Sequence, residues 1–310
     1  MKVCITVDMD NYAEYQSLVD PTGAAGSFSF YSNAVPRFLD VFDRNGIRAT
    51  FFMIGRDAQV SEHRKVVREI AERGHEVANH SYTHPYNFRQ LPRAERVAEI
   101  EQAEHAIADI TGQRPFGFRV PSGDLDTETL SILAERGYLY DSSIFPTPFM
   151  WLFMLYGKLF VRRNDYQLGE ITAVLAPGRP YRPSRDRIHK PANPEADAPP
   201  ILEIPFSTVP SFGVPFYGTL LRLLGRRFFD LLLRGYDQRS PVLLPIFHLI
   251  DLVDLSGSSL DDAMARMPGL GVPFARREHF MTHAFERLAA AGDAVPVLEF
   301  ARAQLEGEAA

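Results

Sequence analysis

Over the first 145 residues the chain switches repeatedly between strand-like apolar runs and helix-like amphipathic spacing. Lys2–Thr6 carries Val3-Cys4-Ile5 and reads as a buried strand. In 33–45, Val35, Phe38, Leu39 and Phe42 recur at helical spacing on one face. Ala49–Ile54 reads as a buried strand, 61–73 as a helix closed by Gly74, and Glu76-Val77-Ala78 as a short strand. A long charged helix over 92–111 ends at Gly112. Phe116–Val120 is strand-like, 126–136 is a helix closed by Gly137, and Tyr138–Tyr140 is a further strand. This β-α-β-α order predicts parallel strands joined by crossover helices, as a barrel or a doubly wound sheet. In either fold, chemistry gathers where strands end at their C-termini.

The alternation breaks at 147–200. Pro146-Thr147-Pro148 opens an aromatic stretch from Phe149 to Tyr156, and a basic, Pro-rich segment follows with Arg179, Arg182, Arg185, Arg187 and Lys190. A loop this long inside a compact enzyme is usually a lid or binding loop, so 147–200 is expected to be an insertion on the active-site face of a single domain spanning 1–310. Regular structure resumes at Ile201-Leu202-Glu203-Ile204-Pro205, and Val242–Phe247 is an apolar strand closed by His248. Residues 219–235 read as one amphipathic helix, with Arg222, Arg226, Asp230 and Arg234 as its polar stripe. Such a helix either covers a core or, being basic, lies on anionic lipid.

Composition narrows the class. A 310-residue chain with 45% hydrophobic and 23% charged residues suits an ordinary globular enzyme. A net charge of −6 excludes a general nucleic-acid binder, which needs a basic surface. Cys4 is the single cysteine, so there is no disulfide framework, and it is expected to be a buried core thiol. The first strand begins at once, which leaves no room for a signal peptide, and no 18-residue apolar run is present. The expected location is the cytoplasm.

Candidate chemistry sits at the predicted strand ends. Asp8 and Asp10 follow the first apolar run; alternate residues of a strand share a face, so the two carboxylates can converge. His80 and His84 follow the Glu76–Ala78 run, and Arg119 and Asp141 end later strands. Two carboxylates and two imidazoles suffice to hold a divalent metal and leave one carboxylate for proton transfer. That set points to a hydrolase whose metal activates water.

Five motifs now stand in order: Thr6–Asp10, His80–His84, Arg119–Gly123, Asp141–Ser143, and the strand ending in His248. With them the chain resembles the NodB-homology polysaccharide deacetylases, carbohydrate esterase family four, over roughly 1–145 and 200–300. The resemblance implies a distorted (β/α) barrel, usually of seven strands, and hydrolysis of an N-acetyl or related amide. It also implies a divalent metal, commonly Zn2+, with Co2+, Ni2+ or Mn2+ as alternatives. By position, Asp10, His80 and His84 would be metal ligands, Asp8 the general base and Arg119 the residue that orients it. The backbone N–H of Ser122 would help hold the oxyanion, His248 would protonate the leaving amine, and Asp141 would raise that histidine's pKa. Asp-Met-Asp departs from the adjacent aspartates of most members, so an exchange of roles between Asp8 and Asp10 stays open; Ser122 stands where many members carry an aromatic residue. Residues 176–182 and 202–208 further resemble the branch associated with bacterial exopolysaccharide and surface-glycan gene sets. His75 is expected to pack or orient the loop before the His pair, and His63, His105 and His189 to lie on the surface.

The expected function is therefore N-deacetylation of an acetylated amino sugar, free or lipid-linked, in surface-glycan or glycolipid assembly. Peripheral membrane contact through 147–200 and 219–235 accompanies it, and nucleic acid is not a partner. Two other readings remain: a hydrolase of another non-peptide C–N bond (deformylase, cyclic imide or ureide hydrolase), or a non-catalytic carbohydrate- or lipid-binding relic.

Overall fold

A computed structural model describes residues 1–19, 28–152, 154–155, 161, 169–193, 200–209, 213–236, 239–256 and 270–309. In chain order the strands are Lys2–Val3 (β1), Thr6–Asp8 (β2), Thr50–Met53 (β3), Glu76–Asn79 (β4) and Gly117–Phe118 (β5). Tyr140–Asp141 (β6), Leu202–Glu203 (β7), Val242–Leu243 (β8), Ile246–His248 (β9) and Asp293–Ala294 (β10) follow. Seven of them form a curled parallel sheet in the order β7-β6-β5-β4-β3-β2-β9, a half-barrel that agrees with the distorted seven-stranded (β/α) barrel expected. Because every pairing is parallel, all seven C-terminal ends open on one side. Three strands, β10-β1-β8, form a separate small parallel sheet.

The expected first strand over Lys2–Thr6 is longer and comes in two pieces, β1 and β2. Its partner chain is interrupted at Pro245, which has no N–H to give a ladder. Single bonds bridge the gap: Cys4 N–H to the Leu243 carbonyl (2.8 Å) and Thr6 N–H to the Pro245 carbonyl (3.1 Å). Cys4 is fully buried, as expected.

The first long helix, Phe30–Asn45, starts three residues earlier than its apolar spacing suggested, because Ser29 caps it through the Ser32 N–H. Val35, Phe38, Leu39 and Phe42 are all fully buried, and Gly46 in the left-handed region ends the helix. Asp126 caps Thr127–Glu135 by accepting the Thr129 N–H at 2.8 Å, and Gly112 closes Arg93–Thr111 at φ 74°.

Three expectations are corrected. Residues 219–235 are not one helix: Gly225, at φ 86° and ψ 169°, divides them into Gly218–Leu224 and Arg226–Gly235. The polar stripe dissolves with it. Arg222 is buried 3.5 Å from Asp251, and Asp230 turns to His283 (3.0 Å) and Arg287 (3.2 Å) on the helix Phe274–Ala289. Only Arg226 and Arg234 of that stripe's arginines face solvent, alongside exposed Leu223, Leu224 and Leu231. Third, His63 is buried rather than superficial; it stacks on Tyr31 at 4.4 Å and bonds the Ser29 hydroxyl at 2.7 Å. His105 is exposed and His189 half-buried. His75 packs against Phe42 and Phe51, and its Nδ1 accepts the Ala49 N–H.

Of the 147–200 segment, the described part folds onto the barrel. Tyr181 pairs antiparallel with Glu203 through two backbone bonds and so covers the outer edge of β7. Ala173, Ala176, Tyr181 and Ile188 pack in one cluster with Phe118 and Val120. Phe153 and Tyr156 of the aromatic stretch lie outside the described residues. Among the described residues no helix is long and apolar enough to cross a membrane.

Candidate active site

Strand register brings the chemistry together. Asp8 ends β2 directly opposite His248, the last residue of β9. His80 and Arg119 each follow the last residue of a strand, β4 and β5, and Asp141 ends β6. The connections out of these strands are strained. Ser81 (φ 64°), His84 (φ 57°) and Ser122 (φ 57°) are the non-glycine residues with positive φ among the described residues, and all three lie here. The strain is held by hydrogen bonds: Asn79 Oδ1 accepts the Ser81 N–H (2.8 Å), and Ser81 Oγ accepts the His84 N–H (3.1 Å).

Asp10, His80 and His84 are all buried, and one ligand atom from each lies within 4.8 Å of the others. His84 Nε2 is 3.1 Å from Asp10 Oδ1. His80 Nδ1 is held by the Arg119 carbonyl at 2.7 Å, which fixes the ring and turns Nε2 toward the carboxylates. Burial pushes the His80 pKa down to about 4, so the imidazole is neutral, as a ligand must be. Burial opposes ionisation of Asp10, yet the charge and hydrogen bond of His84 outweigh it and hold this carboxyl well below the usual range. One carboxylate and two imidazoles meeting in a buried corner are a donor set that fits a zinc-type ion.

A second triad, Asp8, Asp10 and His248, also lies within 4.8 Å. There Asp8 already has a partner: Arg119 Nη1 donates to its Oδ1. That arginine is anchored throughout. Nε donates to the Ser142 carbonyl (2.7 Å), Nη1 to Thr6 Oγ1 (3.1 Å) and Nη2 to Ser142 Oγ (3.1 Å). Its guanidinium also lies over the rings of Phe52 and Phe206, 3.9 and 4.5 Å from their centroids. Asp8 is therefore the oriented carboxylate and Asp10 the one free to face the two histidines.

His248 Nε2 is 3.8 Å from an oxygen of each aspartate, so the histidine stands at the site as expected. Its expected partner does not. Asp141 is fully buried behind the cavity wall, where its Oδ1 accepts the Ser143 hydroxyl at 2.9 Å and its carboxyl faces Glu203. Burial pushes Asp141 up to about 6 and Glu203 well above the carboxylate range. The Asp141–His248 relay implied by the family resemblance is thus not formed; Asp141 acts on Ser143, whose Oγ accepts the Val120 N–H at 2.8 Å beside the Ser122 turn.

Sequence reading missed Glu14. It is buried at the cavity wall, its Oε2 accepts the Asn11 N–H at 2.9 Å, and its Oε1 accepts from Arg56. The signal was legible as Asn11-x-x-Glu14, a helix-start pattern with the acid reaching back to the cap. Above these groups opens a cavity of about 690 Å3, which Asp8, Asp10, His80, His84, Arg119, Ser122 and His248 all line.

Part of the chain is similar to known proteins. A family model described as polysaccharide deacetylase matches residues 24–140. A peptidoglycan-N-acetylglucosamine deacetylase of Bacillus cereus is 29% identical over 104 residues, 34% of this chain and 37% of that protein. A chitin deacetylase of Colletotrichum lindemuthianum is 31% identical over 124 residues, 39% of this chain and 48% of that protein. The chain spans about a third to a half of the length of these curated relatives. A solved structure from Mycobacterium smegmatis, described as a candidate polysaccharide deacetylase, superposes with a TM-score of 0.59 at 20% identity, covering 98% of this chain and 90% of that one. That likeness establishes the half-barrel fold.

Proposed function

We propose, from the premise that this chain belongs to the polysaccharide deacetylase family, that it is a metal-dependent amide hydrolase removing the acetyl group from an acetylated amino sugar. The observation that carries the reading is the convergence of Asp10, His80 and His84 within 4.8 Å, beside an Asp8 that Arg119 holds in place. A divalent ion bound by Asp10, His80 and His84 would polarise the acyl carbonyl and acidify water at neutral pH.

The chain's own residues supply the rest. Asp8 is placed to accept the proton of the attacking water, and its bond to Arg119 keeps one oxygen occupied and the other, Oδ2, facing the site. His248 Nε2, on the cavity side of both aspartates, is placed to give a proton to the departing nitrogen, which cannot leave as an amide anion. The left-handed turn at Ser122 brings backbone to the cavity, where its N–H is suited to the developing oxyanion. The same proposal sets the amino sugar in surface-glycan or glycolipid assembly, with the enzyme in peripheral contact with the cytoplasmic membrane face. Exposed Trp151, Leu155 and Leu231 support that contact.

The test is acetate release by the zinc-loaded protein from acetylated amino sugars, free, oligomeric and lipid-linked. Turnover that is lost on chelation and regained on adding zinc is expected. No acetate from any of them overturns the proposal.

A further inference from the structure

The cavity has two unlike ends. At its floor stand the charged and hydrogen-bonding groups already described; its upper wall is apolar on three sides. Tyr15 and Leu18 come from the helix Tyr12–Val19, and Phe149 and Leu152 from the start of the 147–200 segment. Leu220 and Leu223 come from the helix Gly218–Leu224. Leu152 and Leu223 are 43% and 54% exposed, so the apolar wall runs out to the mouth of the cavity and is not sealed inside the core. At about 690 Å3 the space falls within the ~300–1,000 Å3 of small-molecule sites.

We infer that the upper cavity is a subsite for an aliphatic chain covalently carried by the amide substrate. The inference rests on the amidohydrolase reading and adds the substrate's second half: an amphiphile, with its amide at Asp10, His80 and His84 and its chain along Tyr15, Leu18, Leu152 and Leu223. A free polysaccharide strand fits this wall poorly, because its hydroxyls would lose water and find no partner there. A hydrocarbon chain gains from the same surface. The chain's chemistry is fixed by the wall, and its point of attachment is either the anomeric position of the sugar or the acyl group itself.

Two substrate series separate these sources in the zinc-loaded protein. One is N-acetylglucosamine with methyl, hexyl or decyl glycosides; the other is methyl glucosaminide N-acylated with acetyl, hexanoyl or decanoyl groups. In the series that matches the attachment, kcat/KM should rise by about fourfold per methylene, which corresponds to about 0.8 kcal/mol each, until the chain fills the wall. Leu223→Glu, at an exposed position, should reduce the decyl-to-methyl ratio in that series by at least tenfold. Flat kcat/KM in both series, in a protein that turns over the methyl compounds, overturns the subsite and leaves the amidohydrolase reading standing. If no member of either series is hydrolysed, calorimetry decides the subsite independently of the amidohydrolase reading. Binding of the decyl glycoside or of the N-decanoyl glucosaminide that Leu223→Glu abolishes supports it, and absence of binding of both overturns it.

Discussion

The floor and the upper wall of the cavity are built on opposite principles. The floor sits on the ends of β2, β4, β5 and β9, and its side chains are buried and cross-bonded: Arg119 alone reaches Asp8, Thr6 and both the carbonyl and hydroxyl of Ser142. The wall sits on the Tyr12–Val19 and Gly218–Leu224 helices and on the segment from Phe149, with leucines left partly in solvent. A strand end fixes a side chain's position through ladder bonds on both sides; a helix or loop over the mouth fixes only a surface. The first arrangement suits chemistry that tolerates no misplacement, the second suits a chain that needs area and no particular geometry.

Asp8→Asn breaks the floor and spares the wall, and it should have the largest effect. An amide cannot take the water's proton, so kcat should fall by about 10²–10⁴-fold while metal content stays at the wild-type level. Steady-state kinetics with metal analysis of the same preparation checks it; metal loss in Asp8→Asn, with Asp10→Asn keeping its metal, would reverse the two aspartate roles.

A smaller effect belongs to the core that supports both regions. Burial pushes the His75 pKa down to about 4, whereas the unfolded chain's histidine titrates near 6.5. Above pH ~6.5 both states are neutral and stability is intact; as pH falls toward 4 the unfolded state binds the proton first and stability is lost. Between pH 7 and pH 5 that loss should be about 2 kcal/mol. His75→Asn keeps an acceptor for the Ala49 N–H and should flatten this part of the urea-unfolding profile. An unchanged pH slope in the variant would show that other groups carry it.

The two regions also differed in how far the sequence disclosed them. Asp8, Asp10, His80, His84, Arg119 and His248 were readable because an apolar strand-like run precedes each group, and a parallel sheet sends all such ends to one side. The partner of Asp141 was not, because a buried carboxyl pair with Glu203 depends on β6 and β7 lying side by side, 62 residues apart in sequence. The wall was misread at 219–235, where helical spacing continues through Gly225 but the backbone does not. Periodicity records which face is apolar and says nothing of a glycine that turns the chain. His63 was misplaced for a related reason: a polar residue in a charged helix looks exposed until Tyr31 and Ser29 are brought over it.

The most direct measurement of the central claim is metal stoichiometry and acetate release in His84→Ala. Its backbone lies in a loop outside the strands, so circular dichroism should show an intact fold. The wild-type protein is expected to hold one divalent ion per chain and release acetate, and the variant to lose both together. A folded His84→Ala protein that keeps its full metal content and full turnover would contradict the assignment of Asp10, His80 and His84 as the metal centre.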